Sequence, residues 1–318
     1  MPSRVAEAAR DDVIGAWDAQ GRRRRLQRFV RIVLSRRELR DGLLLAATAM
    51  IVAALLPDRT VDPWQVLNPR KLWFLALLVM AVSAVGRVAL HVLGARAGLL
   101  LTALAGGFAS STATIAAMGG LARRNPPIAR ALASAALLSN VGTIAQLAIV
   151  VFAIEPALLA RIAWPLVASG ATISLVSMAV IWRGRGEPEP DVAHIAGRAF
   201  EPRQALLFVA IVATALVASA AALEHLGPAA LGIALAISGF ADVHAAAASA
   251  GQLVGAGQVT LDMGALGIAM ALVTNSTSKL IVAYATGGRR YVLALVPGLV
   301  AMVAVFTGAM AATGGAAG

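Results

Sequence analysis

The sequence predicts an all-α polytopic membrane protein with about 8–9 transmembrane helices, in two four-helix internal repeats that follow an N-terminal basic amphipathic helix. Of its 318 residues, 59% are hydrophobic and only 14% are charged, a balance that soluble domains do not have. Aromatic residues make up 5% and 30 residues are glycine, the small-residue composition of closely packed transmembrane helices. Because cysteine is absent, disulfides, thiolate metal sites and cysteine nucleophiles are excluded.

Residues 1–41 form a basic arm with 11 arginines against six acids and no apolar core of a signal peptide. We therefore expect a cytoplasmic arm on a bacterial-type inner membrane protein. Apolar side chains recur at helical spacing within residues 23–39: Leu26, Phe29, Val30, Val33 and Leu34. The arginines expected to bind lipid are Arg22, Arg23, Arg24, Arg25, Arg28 and Arg31. Few aromatics interrupt them, so anionic lipid is favoured over nucleic acid as the partner of this interfacial helix.

The membrane region divides into a first repeat at 42–182, a hydrophilic linker at 183–203 and a second repeat at 204–318. Stretches long enough to cross ~30 Å of hydrocarbon lie at about 72–93, 98–120, 131–154, 162–182, 204–226, 229–250, 263–286 and 291–312. The basic loops after the second and fourth spans fall on one side, which agrees with the positive-inside rule. A shorter segment, 42–56, would place the arm outside if it crossed. Either this segment is re-entrant or tilted within one leaflet, or one of the glycine-rich segments is a hairpin and the number of crossings changes.

Ordered markers relate the two repeats. At an offset of 133 residues, the Pro-Arg pair at 69–70 falls on the Pro-Arg pair at 202–203. Farther along, GGFASSTA (106–113) lies opposite SGFADVHA (238–245), Asn140 opposite Asn275, and Pro165 opposite Pro297. These markers predict an internal four-helix duplication, with the repeats superposing about a pseudo-two-fold axis.

Polar residues at membrane depth define the candidate site. Asp242, His244 and Lys279 are ionisable groups in apolar spans, where each costs a few kcal/mol if it lacks a partner. The other members of the predicted substrate or ion site are polar and uncharged: Ser110, Ser111, Thr112, Thr114, Asn140, Asn275 and Ser278. Nearby glycines would let the helices break and free backbone groups for a ligand. Arg87, nearer a span end, is expected to reach toward the membrane surface.

Two interpretations of these residues stay open. In the first, Asp242 and Lys279 form a structural ion pair on neighbouring helices, and the hydroxyls bond back to their own helices. In the second, polar patches from both repeats meet and line a site in which Asp242 carries charge or a proton and Lys279 is its counter-ion or contacts an anion. Both predict that Asp242 and Lys279 lie close together, facing GFASSTAT. The Asp242-x-His244 spacing is a metal pattern of low specificity, so a metal is neither assigned nor excluded.

Catalytic motifs are missing from the sequence, which contains no HExxH, GxSxG or Walker pattern and no paired carboxylates within a span. We therefore expect no enzyme and no cofactor. The leading hypothesis is a secondary transporter or channel for a small polar or ionic substrate. The alternatives are a non-transporting membrane regulator or assembly scaffold and, third, an intramembrane enzyme acting on lipid. A homo-oligomer is one option for the assembly.

Several of these segments also carry a family resemblance: LNPRKLWFL, GLLLTALAGGFASSTAT, LEHLG, ALAISGFADVHA and NSTSKLIVA. From about Asp41 to the end, the chain resembles the MgtC/SapB-associated C-terminal integral-membrane family, a domain of unknown function numbered 4010. The resemblance implies a membrane domain without an assigned activity and, through its MgtC-type neighbours, a loose connection to ion or nutrient physiology. The family pattern has a second acid where this chain has His244, so the resemblance does not carry a two-carboxylate cation site over to it.

Overall fold

The computed structural model describes residues 47–93, 98–183 and 202–314. Nearly all of them belong to one compact unit, Thr48–Gly318, which contains the second predicted repeat and the first from residue 48 onward. Helices and their connections make up these three ranges, with no strand among them. The prediction of an all-α fold is therefore confirmed for the described part of the chain. The predicted interfacial helix and its arginines at 22–31 lie outside the described residues, as does most of the linker.

The described residues contain ten α-helices. In chain order they are α1 (47–55), α2 (Pro69–Leu93), α3 (Gly98–Arg124), α4 (Ala129–Leu138), α5 (Asn140–Ile154), α6 (Pro156–Arg183), α7 (Pro202–Leu226), α8 (Pro228–Ala241), α9 (Val243–Gly255) and α10 (Leu261–Gly314). A 3₁₀ turn, Pro126–Ile128, precedes α4. Ser139, between α4 and α5, keeps helical dihedral angles, so these two helices continue one another.

Proline begins four of the helices, at Pro69, Pro156, Pro202 and Pro228. A proline at the first helical position loses nothing by lacking an N–H, because that N–H has no partner within a helix, and its fixed φ suits the helical turn. In the sequence, each of these prolines follows a polar residue or a glycine: Asn68, Glu155, Glu201 and Gly227. The sequence therefore marks the start of these helices by local chemistry as well as by hydropathy.

Among the residues that the structure describes, six helices are long and apolar enough to cross a membrane. The first five coincide with predicted spans, whereas the last, Leu261–Thr313, covers both 263–286 and 291–312. A straight helix of 54 residues would be about 80 Å long, well beyond the ~30 Å of hydrocarbon. Gly288 interrupts it with a φ of 75°, a left-handed conformation that glycine adopts without steric cost. The remaining predicted span, 229–250, consists of the two shorter helices α8 and α9.

The long helix α10 packs against α3, α6 and α8, and α2 contacts α7, so helices of the two predicted repeats interleave. Outward-facing side chains are large and apolar, with Leu175 on α6 71% exposed and Ile237 on α8 65% exposed. Exposed apolar faces of this size suit contact with lipid tails. The interior contains small residues, among them Ala135, Ala246 and Ala271, all with 0% exposure.

Two glycines bring α3 and α5 into contact backbone to backbone. Gly107 in α3 lies against the carbonyl group of Ser139, and Gly142 in α5 lies against the backbone of Gly107 and Phe108. A Cβ atom at either glycine would overlap these atoms. The contact fixes α3 just ahead of Ser110, where the helix breaks, and thereby positions the candidate site.

Candidate functional site

Two helices are interrupted at polar residues. Inside α3, Ser110 has extended dihedral angles (φ −175°, ψ 108°), and between α8 and α9, Asp242 has similar ones (φ −162°, ψ 123°). Each residue caps the helix that follows it: Ser110 Oγ accepts from the N–H of Ala113 at 3.3 Å, and Asp242 Oδ1 accepts from those of His244 and Ala245 at 2.7 and 3.0 Å. Two helix N-termini therefore lie within the apolar region.

A cavity of about 480 Å³ opens beside both breaks. Its walls come from α2, α3, α5, α7 and the junction of α8 with α9. The polar side chains that line it are Ser83, Arg87, Ser110, Thr114, Gln146, Asp242 and His244. Four of the residues predicted for the site, two from each half of the chain, thus share one cavity.

Asp242 and His244 form a hydrogen-bonded pair at the cavity wall. His244 Nδ1 lies 3.1 Å from Asp242 Oδ1, the same oxygen that caps α9. A carboxylate only accepts, so the neutral imidazole carries its proton on Nδ1 and leaves Nε2 as an acceptor. Nε2 is buried and, within the described part of the chain, has no hydrogen-bond partner. Nor do the described residues add a third His, Cys, Asp or Glu that would complete a metal site here.

Lys279 does not line the cavity and is buried, with only 1% of its surface exposed. Its ammonium group donates to Asn140 Oδ1 at 2.8 Å and to Thr143 Oγ1 at 3.0 Å, both on α5. The Thr143 hydroxyl in turn donates to Ser111 Oγ at 2.7 Å, on α3. A chain of hydrogen bonds through neutral side chains therefore connects Lys279 to Ser111, the residue next to the helix break at Ser110.

Asp242 and Lys279, which were predicted to pair, form no direct salt bridge with each other. Asp242 uses Oδ1 for the start of α9 and for His244, while Lys279 turns to the amide oxygen of Asn140. The two side chains therefore do not form the ion pair of the structural interpretation.

The remaining predicted residues have more local roles. Thr114 donates to the carbonyl oxygen of Ser110 at 3.0 Å, which satisfies one backbone group released by the break. Asn275 is buried, and its Nδ2 has no partner among the described residues. Thr112 and Ser278 are partly buried, and neither lines the cavity.

Sequence reasoning missed Arg87, Ser83, Gln146 and Thr143. Arg87 was expected to reach toward the membrane surface but is 9% exposed and lines the cavity. Gln146 donates to Ser83 Oγ at 3.3 Å and to the Phe108 carbonyl at 3.1 Å, which holds α2 and α5 together at the cavity wall. An amide in the apolar stretch TIAQLAIVV was a signal for such a role, because a membrane helix rarely exposes an amide to lipid.

The fold and the site together define a helical membrane protein with discontinuous helices around a polar cavity. Residues 77–287 match the family described as Domain of unknown function (DUF4010), and the chain belongs to this family. The match contains the whole cavity wall except Ala76. Comparison with curated proteins and with solved structures gives no match.

Proposed function

We propose that the protein is a secondary transporter or channel for a small polar or ionic substrate, which binds in the cavity between the two halves of the chain. The observation that carries the proposal is the cavity itself, to which four of its five wall segments contribute polar groups beside two helix breaks. Discontinuous helices near the bilayer midplane are the means by which many secondary transporters present backbone and side-chain groups to a substrate. A scaffold would have no need of this arrangement, since each buried polar group is costly in hydrocarbon.

An internal duplication with eight membrane crossings is part of this proposal. Ser110 and Asp242 occupy the same position when GGFASSTA is set opposite SGFADVHA, and both have extended backbone. Their caps also correspond, because Ala113 and Ala245 are equivalent in that alignment. Two four-helix repeats would put one broken helix in each half, with the cavity between them.

The equivalent glycines support the same proposal. Gly107 lies against Ser139, one residue before Asn140, and Gly239 lies against Ala271 and Thr274, the latter one residue before Asn275. The two broken helices therefore make their close approach to corresponding positions of the partner helix. The kink at Gly288 would separate the third and fourth crossings of the second repeat.

Thiol labelling tests whether the cavity admits water and solutes. The chain has no cysteine, so Ala113→Cys introduces a unique thiol in the cavity wall without removing a native one. We expect it to react with a membrane-impermeant maleimide in inside-out or right-side-out vesicles, and a transporter that alternates its access should react from both sides. The measurement is the fraction labelled, read by mass shift after denaturation.

Ala171→Cys is the matched control, because Ala171 is also an exposed alanine within a helix but lies on α6, away from the cavity. Its thiol would face lipid and remain unlabelled. If Ala113→Cys is as unreactive as Ala171→Cys on both sides, the transporter proposal fails and the non-transporting regulator or scaffold takes its place.

The basic arm is proposed as a cytoplasmic lipid contact on an inner membrane protein, and an association with MgtC-type proteins belongs to the same proposal. Changing Arg22, Arg23, Arg24 and Arg25 to Gln removes four charges that would each contribute about 1 kcal/mol near an anionic surface. We expect a peptide of residues 1–41 to lose most of its binding to phosphatidylglycerol vesicles at low salt. Sedimentation with the vesicles measures this. Equal binding by both peptides would refute a role of these arginines in lipid binding.

A further inference from the structure

We propose that two segments of the chain are re-entrant hairpins that enter the membrane from opposite faces, and that each is the gate of the cavity toward its own face. One segment is α8 with α9, residues 228–255, which breaks at Asp242 and is called the Asp242 hairpin. The other is α3, Gly98–Arg124, which breaks at Ser110 and is called the Ser110 hairpin. The inference rests on the proposed function, because it assigns to the same cavity the parts that would open it.

Trp64, in the connection between α1 and α2, contacts both ends of the Asp242 hairpin. Its indole Nε1 donates to Glu224 in the last turn of α7, just before α8. Its carbonyl oxygen accepts from Gln258 Nε2 at 2.9 Å, in the loop that follows α9. If 228–255 were one straight helix, its ends would lie about 40 Å apart, too far for one tryptophan to reach. The chain therefore turns back at Asp242 and returns to the end of the helix bundle from which α8 started, the Trp64 end.

The Ser110 hairpin finishes at the opposite end of the bundle. In its last turn, Arg123 Nη2 donates to the Ala285 carbonyl of α10 at 3.0 Å. Helix α10 starts at the Trp64 end with Leu261 and is unbroken as far as Gly288. Ala285 therefore lies about 36 Å along α10 from Leu261, and the last turn of α3 is equally far from the Trp64 end.

The start of the Ser110 hairpin is fixed by α2, which leaves the Trp64 end at Pro69 and reaches Leu93 after 25 residues. Only residues 94–97 separate Leu93 from Gly98, and this connection spans at most about 18 Å. A straight α3 would place Gly98 at the Trp64 end, about 36 Å from Leu93. The connection is too short for that, so α3 turns back at Ser110, where its backbone is extended.

The tips of the two hairpins meet at the cavity. The part of the Asp242 hairpin that lines it is confined to 241–244, so both arms lie between the cavity and the Trp64 end. The part of the Ser110 hairpin that lines it is confined to 106–114, so its arms lie between the cavity and the opposite end. Movement of one hairpin would open the cavity toward one face while the other hairpin keeps it closed, which is what alternating access requires.

The two repeats run in opposite directions through the membrane. Helix α2 leaves the Trp64 end, whereas α7, which begins with the equivalent Pro-Arg pair, arrives there at Glu224. A pseudo-two-fold axis in the membrane plane relates repeats of this kind and gives each face one hairpin. Two of the eight crossings proposed for the repeats thereby become hairpins, and six remain.

Charge distinguishes the two faces. The end opposite Trp64 carries arginines and, among the described residues, no acid: Arg123, Arg124, Arg130, Arg289 and Arg290. Acids accompany the basic residues at the Trp64 end: Asp58, Asp62, Glu155, Glu224 and Asp262. By the positive-inside rule, the Ser110 hairpin serves the cytoplasmic face and the Asp242 hairpin the outer face.

Thiol labelling of the full-length protein in membrane vesicles tests the topology. His225→Cys and Ala256→Cys flank the Asp242 hairpin at exposed positions, and Ala95→Cys and Asn125→Cys flank the Ser110 hairpin in the sequence. We expect the first pair to react with a membrane-impermeant maleimide in right-side-out vesicles and the second pair in inside-out vesicles. If the two thiols of either pair react from opposite faces, that segment crosses the membrane and the inference is wrong.

A disulfide that holds the Asp242 hairpin in place tests its role as a gate. A Cβ atom at Gly251 would lie 3.9 Å from that of Glu155, within the ~3.5–4.5 Å that disulfides span. Gly251→Cys and Glu155→Cys are therefore combined with Ala113→Cys. After oxidation we expect the thiol at Ala113 to react from the inner face alone, and after reduction from both faces. The mass of the labelled peptide measures this.

The matched control combines Gly251→Cys and Ala113→Cys with native Glu155, and there the oxidant should leave labelling from both faces unchanged. If the variant with the Glu155 disulfide does not fold, Leu235→Cys with Gly267→Cys joins α8 to α10 instead. A Cβ atom at Gly267 would lie 3.6 Å from that of Leu235, which also suits a disulfide.

Outer-face labelling that persists in the oxidised protein would overturn the role of the Asp242 hairpin as a gate. Absence of outer-face labelling before oxidation would overturn it as well, because the hairpin would then not open. These failures are distinguishable from failure of the transporter proposal, which requires that Ala113→Cys react from neither face. A cavity labelled from the inner face alone would still admit solutes.

Discussion

Replacing Asn140 by Leu is expected to destabilise the folded protein by about 3 kcal/mol, because the buried ammonium group of Lys279 then loses the closer of its two protein acceptors. Leucine is close to asparagine in size and suits an apolar interior, so the cost arises at the Lys279 ammonium group, which keeps Thr143 as an acceptor but loses Asn140. The measurement is the thermal unfolding midpoint of the purified protein, followed by tryptophan fluorescence. The double variant Asn140→Leu with Lys279→Met should recover most of the loss, since the charge is gone as well.

Asn125→Leu is the matched control for this prediction. Asn125 is exposed between α3 and the following 3₁₀ turn, where, among the described residues, its side-chain amide donates one long bond, 3.4 Å to the Leu121 carbonyl. A small change in its midpoint is expected. Equal losses in Asn140→Leu and in the double variant would mean that Asn140 stabilises the fold by some means other than holding Lys279.

Gly107→Ala should be the second large effect, at about 1–3 kcal/mol of lost stability from overpacking. The added methyl group would meet the carbonyl of Ser139, and a backbone cannot move aside as a flexible side chain can. Gly120→Ala in the same helix is the control, because nothing lies within 4 Å of the Cβ position there. It should be neutral or gain ~0.5–1 kcal/mol from a better helix residue. The ratio of monodisperse to aggregated protein after heating measures both variants, and a tolerated Gly107→Ala would contradict the close contact.

The membrane helices were predictable because hydrophobic length is a local property that a bilayer imposes on the chain. The interruption near GGFASSTA and SGFADVHA could also be anticipated from glycines followed by polar residues. The partner of Lys279 could not be anticipated from the sequence. It depends on which face of α10 packs against α5, and the two residues concerned are 139 positions apart in the chain. An acid was the expected counter-ion for Lys279. Asp242 instead accepts hydrogen bonds from the free N–H groups at the start of α9.

Arg87 illustrates a different limit. Its position toward one end of an apolar span suggested contact with lipid headgroups, since a long side chain commonly extends toward them. The structure instead turns it inward, because the helix face that carries Arg87 also carries Met80 and Ser83 and borders the cavity. Hydropathy registers the depth of a residue along a span but carries little information on the direction in which its helix face points. Which polar side chains line the cavity therefore could be learned only from the packed structure.

The bond between Lys279 and Asn140 has a consequence for biogenesis. The two residues are 139 positions apart, so a ribosome adding ~5–20 residues per second makes Lys279 about 7–28 s after Asn140. The acceptors on α5, Asn140 and Thr143, are neutral, so burying them in the bilayer before Lys279 is made costs little free energy. An ammonium group made first would have no partner there. Synthesis in this order delivers the costly charge to a site already prepared for it. If the two side chains were exchanged, the lysine in α5 would be made before the asparagine in α10. The α5 helix would then have to insert into the membrane while its charge still lacked a partner.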